Sequence, residues 1–234
     1  MDEFRYIEEN LRTVRENLRA AAKRAGRPVP ALVAVTKSAT DDEVRALLGF
    51  GVGAIAENRP QLFTARYALA KEVAPATDVH LIGTLQTNKV KYVLGKAALI
   101  QSLDSDKLAL EIEKQAEKKD LTVPVLLEIN SGREEAKGGV LPEEVPAFAA
   151  RVHALPHLAL VGVMTMGPDC EDPEEYRPYF RLTRELLDRL TADGLIRTDT
   201  PVLSMGMSGS YAVAAEEGAT MVRVGRTLFR KTGK

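Results

Sequence analysis

Cysteine and tryptophan are almost missing from this chain: of its 234 residues one is cysteine, none is tryptophan and three are histidine. A single thiol cannot close an intramolecular disulfide and cannot build a thiolate zinc site, so a reducing, cytoplasmic setting is expected. Charge of one sign is also lacking. The net charge is −1 with both signs interspersed, which leaves no basic stripe for nucleic acid, so any anion site must be local. No apolar run approaches the roughly 20 residues of a membrane helix. The acidic, amphipathic start MDEFRYIEEN is unlike a signal peptide. What is there is ordinary globular material, 45% hydrophobic and 28% charged, long enough to bury a full core without staples.

Periodicity supplies the architecture. Ile7, Leu11, Val14, Leu18 and Ala21 recur at steps of three and four, which predicts an amphipathic helix within residues 1–26, closed by Gly26 and Pro28. Eight short apolar runs come after it: ALVAVT, VGAIA, VHLIG, AALIQS, VPVLLEIN, LALVGVMT, TPVLSM and ATMVRVG. Between them lie helix signals. Thr40 and Glu43 form a T-x-x-E capping box. Pro60, Pro142 and Pro173 stand where a first helical turn accepts proline. Pro146 and Pro178 argue for late starts, and Gly49, Gly95, Gly194 and Gly218 fall where helices should stop. Nearly continuous apolar strands mean a sheet covered on both faces. Eight strand–helix units in a chain of this length predict a single-domain α/β protein over residues 1–234, a (β/α)8 TIM-type barrel with an extra N-terminal helix and a last helix cut short.

In such barrels the chemistry sits at the C-terminal ends of the strands. Just past the strands come Lys37, Glu57 and Asn58, Thr84 and Gln86, Asp104, Asn130 and Lys137, the SMGMSGS run (204–210), and Arg223 to Arg226. Ser208, where a helix is expected to begin, and Gly225, ahead of the last helical stretch, are cap and turn residues if read singly. Together, after strands seven and eight, they suggest a phosphate site. Arg223 is a guanidinium inside an apolar strand and needs a carboxylate, with Glu57 a candidate, or a ligand. Lys37 is either the wet end of a strand or a desolvated amine able to form a Schiff base with a phosphorylated carbonyl compound. That compound would be a sugar phosphate, as in a Schiff-base aldolase, or pyridoxal 5′-phosphate. His80, His153 and His157 lack metal-ligand spacing, and Cys170, among acidic neighbours, reads as an idle thiol. The long connection Asn130–Val140 is the candidate moving part.

These motifs, in order VAVTK, ENRPQ, HLIGTLQTNKVK, SLDS, EINSGREEAKGGV, GVMTM, LSMGMSGSY and GATMVRVGRTLF, resemble the pyridoxal phosphate homeostasis protein family, which is similar to the barrel domain of alanine racemase. The resemblance implies that Lys37 carries pyridoxal 5′-phosphate as a Schiff base and that Asn58 lies beside it. It further implies that Met207, Ser208, Gly225 and the adjoining Arg226 hold the phosphate and that Arg223 faces the pyridine nitrogen. The implied role is buffering or delivery of the cofactor, with apo-enzymes as recipients, by a monomer without robust catalysis. An amino-acid racemase is the alternative, with Tyr211 as the one tyrosine to consider as a second base, its expected place on a helix weighing against it. The chain departs from the family pattern at Ala56 (usually glycine), Thr84 (commonly histidine), Arg226 (frequently threonine) and Arg230 (usually glycine).

Overall fold

The computed structural model describes residues 2–231. Eight parallel strands, β1 (Ala31–Val35), β2 (Ala54–Glu57), β3 (Asp78–Leu81), β4 (Leu99–Leu103), β5 (Val123–Glu128), β6 (Leu158–Met164), β7 (Val202–Ser204) and β8 (Met221–Val224), close into a barrel in chain order. Closure is made by β1 on β8, with Val33 opposite Arg223 and Ala34 opposite Val224. All eight apolar runs are therefore strands, and the expected (β/α)8 barrel is what forms. Among the described residues no helix is long and apolar enough to cross a membrane.

The helices are α1 (Arg5–Arg24), α2 (Asp41–Gly49), α3 (Pro60–Val73), α4 (Val90–Val93), α5 (Asp106–Glu117), α6 (Val145–His153), α7 (Arg177–Ala192) and α8 (Tyr211–Glu216). Helix α1 precedes the barrel and buries the stripe Ile7, Leu11, Val14, Leu18 and Ala21. The capping box forms as spaced: Thr40 Oγ1 accepts from the Glu43 amide at 3.2 Å, and the Glu43 carboxylate accepts from the Thr40 amide at 2.8 Å. Pro146 and Pro178 occupy first-turn positions of α6 and α7, so the late starts hold. Pro142 opens a turn rather than a helix, and α6 begins at Val145.

The helical stretch expected after β8 is a single turn over 226–229, closed by the Leu228 amide on the Gly225 carbonyl at 2.9 Å. One turn fixes several dihedrals for one hydrogen bond, and a helix gains only when further residues add bonds at lower cost.

Strand parity divides the barrel into two environments, because successive side chains point to opposite faces. Val33 and Val35, Ala54 and Ala56, Leu99, Leu126, Val202 and Met221 pack together inside the barrel. Alternating with them, Ala34, Ile55, Val79, Leu81, Ile100, Val125, Leu127 and Leu203 join the large core between sheet and helices. Gln101, Ser204 and Arg223 share the inward parity, so the middle of the barrel is polar and hydrogen-bonded rather than a pure stack of aliphatics.

Candidate functional site

At the C-terminal mouth, Lys37, Asn58 and Gly225 each lie just past the end of a strand, β1, β2 and β8 respectively. Lys37 lies in the turn after β1 and is exposed. Its exposure leaves the amine open to an incoming carbonyl compound. Gly225 packs directly on the strand that carries the lysine. A Cβ there would lie 3.0 Å from the Val35 carbonyl oxygen and 3.2 Å from Val35 Cβ. Asn58 is held in the same way from the other side, since a Cβ on Gly83 would overlap its carbonyl oxygen.

The loops after β7 and β8 make one structure. Ser208 Oγ accepts from the Gly225 amide and from the Thr227 amide, each at 3.3 Å, and the Ser208 carbonyl oxygen accepts from Thr227 Oγ1 at 3.4 Å. Two backbone N–H groups thus converge on a single oxygen, the Ser208 hydroxyl, and an anion binding here would take them over from Oγ. The loop gets there through Gly206, whose φ of +89° favours glycine and where a Cβ would meet Ala214 Cβ at 2.4 Å. A cleft of about 580 Å³ opens beside these groups, lined by Ser38, Ser208, Arg226 and Thr227 among others.

One expectation for this corner is corrected. Ser208 does not begin a helix, for Ser210 is the N-cap residue of α8. The anion character therefore comes from loop amides and not from a helix end. The Met207 amide is engaged by Ser210 Oγ at 3.2 Å, just as the Gly225 and Thr227 amides are engaged by Ser208 Oγ. The amide that joins Gly225 belongs to Thr227, which sequence reasoning passed over, while Arg226 reaches the cleft with an exposed side chain.

Arg223 is 3% exposed and donates from Nη1 to Ser204 Oγ at 2.6 Å and from Nη2 to the Thr165 carbonyl oxygen at 2.9 Å. Burial pushes its pKa down to about 10, with Glu128 opposing, so it remains a cation at neutral pH. Its electrostatic partner is Glu128, at the end of β5, which the sequence reading did not single out. Burial, with a contribution from Asp104, raises the Glu128 carboxyl to about 7 against the pull of Arg223. The signal was available: Glu128 comes two residues after Leu126, at inward parity, on the strand running into EINSG.

Glu57, the carboxylate considered for Arg223, faces the opposite way. Outward parity sets it against the helix layer, where Thr36 Oγ1 donates to Glu57 Oε1 and Arg66 Nε lies 3.4 Å from the same oxygen. Arg66, on α3, also donates to the Asp41 carboxylate and the Ala39 carbonyl oxygen. Glu57 is fully buried, its Oε2 has no partner, and burial raises its pKa despite Thr36 and Arg66. This assembly ties β2 and α3 to the segment on both sides of Lys37.

Other polar groups of the mouth are peripheral. Thr84 and Gln86 are exposed, and the Gln86 carbonyl starts a short 3-10 turn over Thr87–Lys89. The loop after β5 is pinned by a bridge between Ile129 and Val140 and folded around Asn130, whose side chain meets Glu134 and the Lys137 carbonyl. Lys137 Nζ reaches Glu134 at 2.7 Å and the Gly167 carbonyl oxygen at 3.4 Å. Burial first, then Glu175 and Asp169, raises the Cys170 thiol, in keeping with an unreactive sulfur. The histidines lie apart, His153 on the Leu195 carbonyl oxygen at 2.9 Å and His157 on Glu113 at 2.7 Å. Tyr211 is turned to the outside of the barrel, where its hydroxyl accepts from Asn17 Nδ2 of α1 at 2.9 Å.

Comparison with known proteins agrees with this geometry. The family described as alanine racemase, N-terminal domain, matches residues 10–232. A pyridoxal phosphate homeostasis protein of Aquifex aeolicus is 43% identical over 223 residues, 94% of this chain and 96% of that one. Among solved structures, a protein of unknown function from Bifidobacterium adolescentis superposes with a TM-score of 0.89 at 38% identity, covering 96% of this chain and 95% of that one. PipY of Synechococcus elongatus, solved with pyridoxal phosphate bound, superposes at 0.82 with 28% identity over 96% of this chain and all of that one.

Proposed function

The chain belongs to the pyridoxal phosphate homeostasis protein family, and from that premise we propose that it binds pyridoxal 5′-phosphate at the barrel mouth and buffers or delivers it inside the cell. Lys37 forms a Schiff base with the cofactor's aldehyde. Ser208, Gly225 and Thr227 receive the phosphate, with the Arg226 guanidinium available to it across the cleft, and Met207 shapes the loop that presents them. Asn58, fixed against Gly83, lies beside the ring, and Arg223 faces its nitrogen.

The observation that carries the reading is the packing of Gly225 on Val35. It sets an amide pair suited to an anion against the strand that ends in a solvent-accessible lysine. Bound there, the cofactor would supply an aldehyde for amines and a ring able to withdraw electrons. The chain's own residues restrain that second capacity. Arg223 keeps its proton at neutral pH and can only donate a hydrogen bond, so it leaves a ring nitrogen unprotonated. Racemisation needs a base on each face, and Tyr211 is committed to Asn17 on the outer surface. Storage fits these residues better than turnover; a monomer that hands the cofactor to apo-enzymes is the rest of the proposal.

Visible absorbance with added pyridoxal 5′-phosphate, and intact mass after borohydride reduction, test the reading on wild type and Lys37→Ala. The expected result is a Schiff-base band and a one-cofactor adduct in wild type, both lost in the variant. A colourless wild type without adduct would overturn it. Measurable interconversion of amino-acid enantiomers by the loaded protein would replace storage with racemisation.

A further inference from the structure

At the N-terminal end of the barrel, opposite the mouth, a cavity of about 640 Å³ is lined by His80 together with Asp78, Leu99, Met221 and others. From His80 a run of hydrogen bonds crosses the barrel interior. His80 Nδ1 is 3.0 Å from Gln101 Nε2, Gln101 Oε1 accepts from Ser204 Oγ at 2.7 Å, and Ser204 Oγ accepts from Arg223 Nη1 at 2.6 Å. Four strands, β3, β4, β7 and β8, each contribute one of these side chains, and all four are buried.

The chain of bonds has a direction. A guanidinium only donates, so Ser204 accepts from Arg223 and its own proton is free to go to Gln101 Oε1. The amide's two N–H groups are then spent on His80 Nδ1 and on Met221 Sδ at 3.3 Å. His80 accepts at Nδ1 and so carries its proton on Nε2. Its burial favours this neutral ring, with a pKa pushed down to about 4. A fully buried glutamine in the middle of a barrel is costly unless every group is satisfied. In the orientation that ends on Arg223 every polar group of this one is engaged, the second N–H by Met221 Sδ.

We propose that Gln101, its amide fixed by His80, is a positioning residue that sets the rotation of the Arg223 guanidinium from behind. The cofactor site is thereby tied to the opposite end of the barrel. The proposal rests on the reading that Arg223 faces the cofactor ring, but its first test needs no cofactor.

In the cofactor-free protein, nitrogen NMR should show His80 as the Nε2–H tautomer and separate, slowly exchanging Nη signals for Arg223. Gln101→Met keeps the length and removes both polar groups; the Arg223 signals should merge and the His80 preference should be lost. Gln101→Glu keeps an acceptor for Ser204 and removes the donor to His80. It should leave Arg223 restrained while His80 switches to the Nδ1–H form. Affinity for added pyridoxal 5′-phosphate should fall about tenfold in Gln101→Met, the scale of one hydrogen bond to a charged group, and far less in Gln101→Glu. An Nδ1–H tautomer in wild type, or an Arg223 equally restrained in Gln101→Met, overturns the proposal. Should Gln101→Met not fold, the wild-type tautomer and Gln101→Glu decide it. If the NMR results stand but no variant, wild type included, binds the cofactor, the positioning role survives and the cofactor reading fails.

Discussion

Glu57 and Arg223 show how much a single residue's meaning depends on which face of a strand it occupies. Both are buried charges near the mouth, and from the sequence each could answer the other. Parity separates them: Arg223 points into the barrel to Ser204 and Thr165, Glu57 out to Thr36 and Arg66. Breaking a buried pair from one side leaves an uncompensated charge, at a cost of about 3–5 kcal/mol. Glu57→Ala should therefore destabilise by about 3 kcal/mol, the lower end, because Arg66 retains Asp41 and Ala39. Glu57→Gln should cost much less, since it keeps an acceptor for Thr36 Oγ1 and removes the charge whose burial raises the carboxyl pKa. Urea unfolding of the two variants and of Glu57→Ala/Arg66→Leu reads this directly. With Arg66→Leu measured alone as the fourth corner, a double variant whose loss equals the sum of the two single losses would show that the pair carries no coupling. At this scale the ring of polar residues past the strand ends was legible in the sequence, as were Lys37, Asn58 and Gly225 within it. Glu128, whose inward parity could have been counted along β5, was passed over. Thr227 and the Gln101–His80 pair were not legible. Their significance lies in partners on other strands, 103 residues away in the case of Ser204 and Gln101, and local pattern carries no such information.

At the scale of elements, the loops after β7 and β8 depend on two glycines for different reasons. Gly206 has a left-handed backbone, which costs any other residue roughly 1–2 kcal/mol before sterics. Gly225 has no such backbone, and its constraint is the 3.0 Å approach to Val35. Gly206→Ala should lower the unfolding free energy by more than about 2 kcal/mol through strain and the clash with Ala214. Gly225→Ala should cost less stability yet weaken binding of added pyridoxal 5′-phosphate about tenfold, by moving an amide of the anion site. Paired thermal melts and absorbance titrations would check this. A Gly225→Ala protein that bound as tightly as wild type would remove Gly225 from the site. All eight strands and the cap of α2 could be read from sequence because each is set by a local pattern. The stretch after β8 could not, since the propagation of one turn into a helix depends on the packing available to further turns, not on the residues of the first.

For the whole molecule, Glu128 and His80, which titrate inside the barrel below neutral pH, act on stability with opposite signs. Glu128 is raised from 4.5 to about 7, so the folded state holds a proton that the unfolded chain has lost, and stability falls as pH rises from about 4.5 to 7. His80 is lowered from 6.5 to about 4, so the unfolded chain holds the extra proton, and stability falls as pH drops from about 6.5 to 4. Each effect is worth about 3 kcal/mol when complete. Across the shared window, about pH 4.5 to 6.5, the slopes cancel, and the pair contributes little to the wild-type profile. Removing either group should expose the other. Glu128→Gln should become steadily more stable from pH 4.5 to 6.5, whereas His80→Asn should become steadily less so. Urea unfolding at half-unit pH steps and constant ionic strength measures both. Profiles for the two variants parallel to wild type would mean that neither group titrates away from its unfolded range, and that the barrel interior is wetter than its packing implies. Opposite slopes would show the polar layer to be a balanced feature of the fold, with the cation of Arg223 held between a carboxyl at the mouth and a neutral imidazole at the far end.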